Sequence, residues 1–288
     1  MTYLLSDSTK IFLESYDGPD RVVSAAEFRE NNASTQDDLK LKTGYPTLDT
    51  LMDGVMFGEL IVVSGPTKHG KSTFCLTLSR NFERIGIKTL FFSFEMPASI
   101  LLCQRYKTLS THVPMENVPG SIEWLEERVI EGALKFHTRV VFVDHLHFVA
   151  DIFRMKHPSL EIGAVMRSIK SMAMNHKIVI FLIAHTAKLG RDFQGALTEH
   201  DVRDSSFITQ EADSTLMVHR FFKDEQTKKM IISETKSQII VCNHRRTGVM
   251  GKKMIVNKIG DFYEEHDNME VKDGINTEDF VSSRGWES

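Results

Sequence analysis

Long apolar runs are missing from this chain. The longest, such as Ile178–Ala184, are too short to cross a bilayer. No basic segment followed by an apolar core stands at the N-terminus, so no secretory signal is expected and a cytoplasmic setting is. Cysteine is scarce: Cys75, Cys103 and Cys242 are the only three, each alone in apolar surroundings. A disulfide framework is thereby excluded, and the three read as buried free thiols in a reducing compartment. An excess of one charge is also lacking. Against 35 Lys and Arg stand 39 Asp and Glu, a net charge of −4. A wholly basic face is therefore excluded, and any contact with nucleic acid has to come from a few loops. At 41% hydrophobic residues the chain can bury one sizeable core. That core is expected within residues 41–265, between an N-terminal extension (1–40) and an acidic C-terminal tail (266–288).

What the chain does have is Gly65-Pro66-Thr67-Lys68-His69-Gly70-Lys71-Ser72, which fits G-x-x-x-x-G-K-[ST] at every fixed position. The apolar run Leu60–Val63 leads in, and Thr73–Leu78, with helix-like patterning, leads out. Strand, glycine loop and helix are the setting of a phosphate-binding P-loop. Glycines let backbone N–H groups face phosphate oxygens, and the helix N-terminus adds the positive end of its dipole. Lys71 can reach the β- and γ-phosphates, and the Ser72 hydroxyl can ligate Mg²⁺. Residues 65–73, closing on Thr73, are therefore the expected nucleotide contacts, with ATP and Mg²⁺ as the implied cofactors.

Around this loop, strands and helices alternate. Strands are expected at Leu60–Ser64, Thr89–Phe94, Arg139–Val143, Ile178–Ile183 and Ser214–Val218. Helices are expected at Lys71–Ile85, closed by Gly86, from Pro97 to about Ser110, over 121–134, at Ser159–His176 and at Ser205–Ala212. Met230–Cys242 and Met250–Val256 read as a late antiparallel pair. Near Ser24 the capping box Ser24-Ala25-Ala26-Glu27 starts a short helix. The pattern is α/β: a mostly parallel central sheet with helices on both faces.

Ligands of such sheets sit at the carboxyl ends of the strands. Glu95 follows the second strand and can polarise a water against a γ-phosphate, unless it is an ordinary solvated loop carboxylate. Asp144 ends Val141-Phe142-Val143 in the manner of a Walker B strand and can hold Mg²⁺ together with Ser72. His145 and His147 alternate beyond it, but no cysteine or histidine cluster is seen to complete a zinc site. His185 follows the next strand; it either bonds the γ-phosphate or is a core-edge histidine. Asn243–Gly248 carries Arg245 and Arg246 at a strand-to-turn boundary, where an arginine can stabilise developing phosphate charge or simply be solvated. Lys188 and Arg191 in one loop, and Lys156 in another, can track a phosphate backbone or be ordinary loop bases.

The P-loop, Phe91–Pro97 (FFSFEMP), Val140–Phe148 (VVFVDHLHF), Asp201–Asp213 (DVRDSSFITQEAD) and His244–Gly251 together resemble the DnaB-type ring helicases over roughly residues 40–265. A RecA-like P-loop core is implied. The resemblance makes Glu95 the catalytic base, Lys71, Ser72 and Asp144 the ATP–Mg²⁺ ligands, and Arg246 an arginine finger entering the neighbour's site. It makes Arg220 a residue packed on the nucleotide base, and places Lys188 and Arg191 in the loop that grips single-stranded DNA. Residues 22–30 resemble the linker helix that docks on the next subunit. A homo-oligomer is implied, expected to be a hexameric ring of phage type, with a primase or polymerase as possible partners and unwinding 5′ to 3′. The sequence departs from the family at His185, where bacterial members carry glutamine and phage helicase–primases histidine, and at His244, where lysine is usual. The N-terminal helical domain and a primase domain are not seen. A RecA-type recombinase and a non-translocating DNA-dependent ATPase or replication adaptor are the alternatives.

Overall fold

The computed structural model describes residues 6–32, 40–117, 121–146, 158–186, 197–202, 205–224, 226 and 230–266. Chain contacts divide it into two units, Met1–Leu39 and Lys40–Ser288.

The first unit contributes α1 (Asp7–Glu14) and α2 (Ala25–Asn32). Ser6 Oγ accepts from Thr9 N at 3.2 Å and starts α1, a helix not foreseen from the sequence. Ser24 Oγ accepts from Glu27 N at 3.1 Å, the cap expected for α2. Ile11, Phe12, Leu13, Val22 and Phe28 are all exposed.

The second unit is built on an eight-stranded sheet in the order β12-β11-β10-β7-β3-β6-β5-β4. β3 (Leu60–Ser64), β4 (Lys88–Ser93), β5 (Thr138–Asp144), β6 (Val179–Ile183) and β7 (Ser214–His219) run parallel. β10 (Lys236–His244), β11 (Lys252–Ile259) and β12 (Phe262–Glu265) add an antiparallel flank. Two small antiparallel pairs, β1 (Lys40–Leu41) with β2 (Val55–Met56) and β8 (Phe221–Lys223) with β9 (Met230–Ile232), lie outside it.

Every residue of β3, β6 and β7 is buried. Their side chains alternate between two cores, as a strand's period of two demands. Ile61 and Val63 join the core of α3 (Pro46–Met52) and α4 (Lys71–Arg84), with Leu48, Met52, Phe74 and Phe82. Leu60 and Val62 join the core of α6 (Ile122–Phe136), α7 (Pro158–Asn175) and α8 (Ser205–Glu211), with Leu125, Ile162, Met166 and Ile208. No helix among the described residues is long and apolar enough to cross a membrane.

Three expectations are corrected. The helix from Pro97 stops early. A single turn, α5 (Ala98–Ile100), passes into a π turn at Leu101–Arg105, closed by Tyr106 N donating to Leu101 O. The chain then runs beside β4, where Phe91 N donates to His112 O and His112 N to Thr89 O. Covering the open edge of β4 satisfies more backbone than another helical turn would. Met230–Cys242 is two strands, because Ser233 turns the chain: its N–H donates to Arg220 O and its Oγ accepts from Lys236 N. Cys103 is exposed on the π turn, whereas Cys75 and Cys242 are buried; all three are free.

Asp213, the last residue of the Asp201–Asp213 motif, fastens the amino edge of the sheet. Its Oδ2 accepts from Leu60 N at 2.8 Å and from Lys170 Nζ at 2.6 Å, and its carbonyl accepts from Arg245 N. Asp213→Ala takes the carboxylate from the largely buried Lys170 ammonium, leaving it the Gly58 carbonyl, and orphans the first amide of β3. A loss of about 3 kcal/mol in urea unfolding is expected; a change within experimental error would show that the fastening is dispensable.

Candidate nucleotide site at the carboxyl edge of the sheet

β3 hands the chain to the glycine loop at the middle of the sheet. Gly65 holds φ +146°, and a Cβ there would collide with the carbonyl oxygen of Val218. Gly70 holds φ +98° as N-cap of α4, and a Cβ there would strike the Tyr263 hydroxyl. Both positions therefore require glycine for conformation and for room. Pro66 is half-buried, while Thr67 and Lys68 form the exposed tip. Lys71 is buried, and its Nζ donates to the carbonyls of Gly65 at 2.9 Å and Pro66 at 3.1 Å, at the mouth of the loop. Burial lowers the ammonium's pKa, opposed by the charges of Asp144 and Glu95.

Ser72 Oγ donates to Asp144 Oδ2 at 2.7 Å, so the two expected metal ligands meet although β6 separates their strands. Asp144 Oδ1 is buried with no hydrogen-bond partner. Burial pushes the Asp144 carboxyl up to about 6; the Ser72 hydrogen bond opposes this, and the charge of Glu95 adds to it. A buried carboxylate with an orphaned oxygen beside a hydroxyl fits a hard divalent cation such as Mg²⁺.

The residues after β4, β5 and β6 converge. The donor atoms of Glu95, His145 and His185 all lie within 4.8 Å of one another. The rings of His145 and His185 meet edge to face, with centroids 4.4 Å apart. His145 thus pairs with a histidine from the next strand. His147, Lys156, Lys188 and Arg191 lie outside the described residues.

Arg220 follows β7 at the same edge. Its backbone N–H donates to His69 Nδ1 at 3.0 Å, and its Nε donates to Ser233 O. Burial, then the charges of Arg220 and Lys71, push His69 down to about 4, so the ring is neutral with its proton on Nε2. The His69 ring also packs against Phe221, centroids 4.7 Å apart.

The arginine turn lies elsewhere. β10 runs antiparallel to β7, which puts His244 beside Ser214, at the amino edge. His244 is buried. Its Nδ1 hydrogen-bonds Thr247 Oγ1 at 2.7 Å, and its Nε2 lies 3.7 Å from Glu59. Arg246 donates to Glu59 at 3.1 Å, to Asp53 Oδ2 at 3.0 Å, and to the carbonyls of Met52 and Gly54. Burial raises the Glu59 carboxyl's pKa, but the neighbouring His244 imidazole and the hydrogen bonds from Met56 N and Arg246 outweigh it and hold the group below its ordinary value. Glu59 and Gly65 bracket β3, so roughly 20 Å of strand separates Arg246 from the glycine loop of its own chain. Arg245, beside it, is more exposed and donates to Gln210 O.

Sequence reasoning missed Tyr263. It arrives on β12, where Ser237 Oγ donates to its hydroxyl at 2.9 Å and its N–H donates to Thr77 Oγ1. Gly260-Asp261, the two residues linking β11 to β12, were the available hairpin signal.

The glycine loop on a central parallel strand, with Ser72 and Asp144 paired at its mouth, defines a P-loop nucleoside-triphosphatase fold of the RecA-like kind. Residues 40–134 and 121–259 match the DnaB-like helicase C terminal domain. The chain belongs to that family. It is 26% identical over 251 residues to the replicative DNA helicase DnaB of Treponema pallidum (strain Nichols), covering 76% of this chain and 56% of that protein. It is 21% identical over 299 residues to DnaB of Haemophilus influenzae (strain ATCC 51907 / DSM 11121 / KW20 / Rd), covering 88% and 62%. The chain spans roughly half the length of the helicases it matches. Among solved structures, one described as an ATPase domain shares the fold with a TM-score of 0.68 at 15% identity, covering 84% of this chain and 98% of that one. A DnaB-like replicative helicase, described with its interactions with primase, gives 0.66 at 16%, covering 89% and 70%.

The Asp144 shift sets a pH dependence. Between its ordinary value near 4 and about 6, the folded chain binds a proton that the unfolded chain releases, so this group's contribution falls as pH rises through that window. Asp144→Asn removes the penalty. The variant, free of nucleotide and metal, is expected to gain on the order of 2–3 kcal/mol above pH 6.5 and nothing below pH 4. Urea unfolding across that range checks it; a gain independent of pH would contradict the assignment.

Proposed function

We propose that the chain is an ATP-dependent DNA helicase of the DnaB type, moving along single-stranded DNA as a ring of six subunits during replication. One observation carries this reading: the glycine loop and the arginine turn stand at opposite edges of one sheet. A hydrolytic site that uses both needs two chains.

In this reading the amides of residues 65–73 and Lys71 hold the β- and γ-phosphates, and Arg220 packs on the base. Ser72 and Asp144 hold Mg²⁺, which draws charge from the phosphates. Glu95 takes the proton of the attacking water, and His185 bonds the γ-phosphate. Arg246 of each subunit serves the neighbour's nucleotide. Lys156, Lys188 and Arg191 face the DNA strand. Residues 1–40 supply the linker, with residues 22–30 docking on the next subunit; 41–265 form the motor and 266–288 an acidic tail. Primase or polymerase is the expected partner, in a cytoplasmic setting. Support comes from the family membership and from the convergence of Glu95, Asp144, His145 and His185 at one edge.

Glu95→Gln is expected to keep ATP binding and lower turnover by roughly 10²–10⁴-fold. Unchanged turnover would remove Glu95 from the role. Mixing Glu95→Gln with Arg246→Ala subunits should restore activity at interfaces that pair an intact glutamate with an intact arginine. Because Arg246 also anchors Glu59 and the end of α3, the same variant is checked for unfolding, and Arg245→Ala is run in parallel. Complementation by Arg245→Ala alone would move the finger by one residue. Strong hydrolysis without displacement of a forked duplex would favour the adaptor reading.

A further inference from the structure

The trio at the carboxyl edge offers more than water activation. Glu95, His145 and His185 follow β4, β5 and β6, three adjacent strands whose register aligns Ser93, Asp144 and Ile183. The sheet itself brings the donors together, so little chain ordering is needed to use them jointly. Two imidazoles and one carboxylate form a donor set that suits Zn²⁺ and its neighbours, with one coordination position left open. Mg²⁺ prefers oxygen ligands. The trio is therefore chemically distinct from the oxygen pair Ser72–Asp144 beside it. Donors around tetrahedral zinc stand about 3.3 Å apart, closer than the 4.8 Å limit within which these atoms lie. His145 is fixed by burial, while Glu95 is exposed on its loop and can supply the remaining approach.

We propose that Glu95, His145 and His185 bind a Zn²⁺-class transition-metal ion, and that the bound ion switches off hydrolysis by occupying the carboxylate. The inhibition rests on Glu95 being the base; the metal site does not. A carboxylate that has given its lone pair to zinc cannot accept the proton of the attacking water. Mg²⁺ in excess does not displace the ion, because its preference is for other donors.

The test is a cobalt titration of the whole chain, without nucleotide and with Mg²⁺ in excess. Expected are the strong visible bands of tetrahedral Co²⁺, saturating at one ion per chain and abolished by Zn²⁺. Cobalt at Ser72–Asp144 would be octahedral with faint bands, so the spectrum separates the two sites. Glu95→Gln, His145→Asn and His185→Asn should each weaken binding by at least roughly tenfold, the lower bound for loss of a supporting group at a metal site. Glu95 is exposed, so its variant reports even if the buried His145 variant misfolds. Micromolar Zn²⁺ should inhibit ATP hydrolysis by the wild-type chain, and a zinc-selective chelator should reverse it. Absent strong bands, or bands unchanged in the Glu95 and His185 variants, overturn the site. Strong bands with hydrolysis unaffected by saturating Zn²⁺ overturn the switch. A chain with no ATPase activity would defeat the proposed function, yet its cobalt spectrum would still decide the metal site.

Discussion

A negative charge buried without compensation governs the carboxyl edge. Asp144 is almost wholly enclosed, with one oxygen on Ser72 and the other on nothing. Isolated burial of this kind is expensive, and the group answers by holding its proton to about pH 6. Lys71 does not neutralise it by direct contact, because its ammonium is engaged by the Gly65 and Pro66 carbonyls. The unpartnered oxygen therefore favours added positive charge at the mouth of the loop, and the charge of Glu95 acts in the same sense. Such a pocket is well adapted to a cation carried in on a polyphosphate, where the ion satisfies the carboxylate and the phosphates satisfy Lys71 and the loop amides.

The amino edge solves the opposite problem. There the buried Glu59 carboxylate accepts hydrogen bonds from Met56 N and Arg246, with the His244 imidazole 3.7 Å away. The side chain of His244 is turned inward onto Thr247. It is part of the scaffold that shapes the turn. Arg246 stiffens the same scaffold by closing off the carbonyls at the end of α3. A preorganised guanidinium loses less freedom on meeting a phosphate than a waving one, which is how anchoring and a role across an interface can coexist.

The parallel core was legible in the sequence because its strands are short, apolar on both faces and bounded by glycine or charge. Leu60–Ser64 is a strand to the residue, and Asp144, Glu95 and His185 are candidates because they lie at or just past the carboxyl ends of strands. What escaped was set by long-range pairing. Nothing local in Thr108–Val113 says that it must cover the edge of β4, so the helix from Pro97 was drawn too long. Ser233 broke an apparently continuous strand through a hydrogen bond to Arg220. The meeting of His145 with His185 and Glu95 depends on two registers across three strands, which spacing within one strand does not reveal. Tyr263 needed the hairpin at Gly260-Asp261 to be read before its contact with Gly70 could be imagined.

Those long-range contacts also bind the two edges into one device. The glycine loop is pressed on three sides: by the Val218 carbonyl at Gly65, the Arg220 amide at His69, and the Tyr263 hydroxyl at Gly70. Tyr263 is in turn held by Ser237, at the start of β10, while Val218 and His219 pair with Ile239 and Gln238 on the same strand. β10 then runs the full depth of the sheet and ends at His244, two residues before Arg246. It is hydrogen-bonded on both sides, to β7 and β11. A strand so clamped shifts as a rod rather than stretching, and its single irregularity, between Val241 and Asn243, falls at the arginine end. The loop that would grip a phosphate and the turn that would serve the neighbouring subunit thus stand at the two ends of one strand, paired along both of its edges.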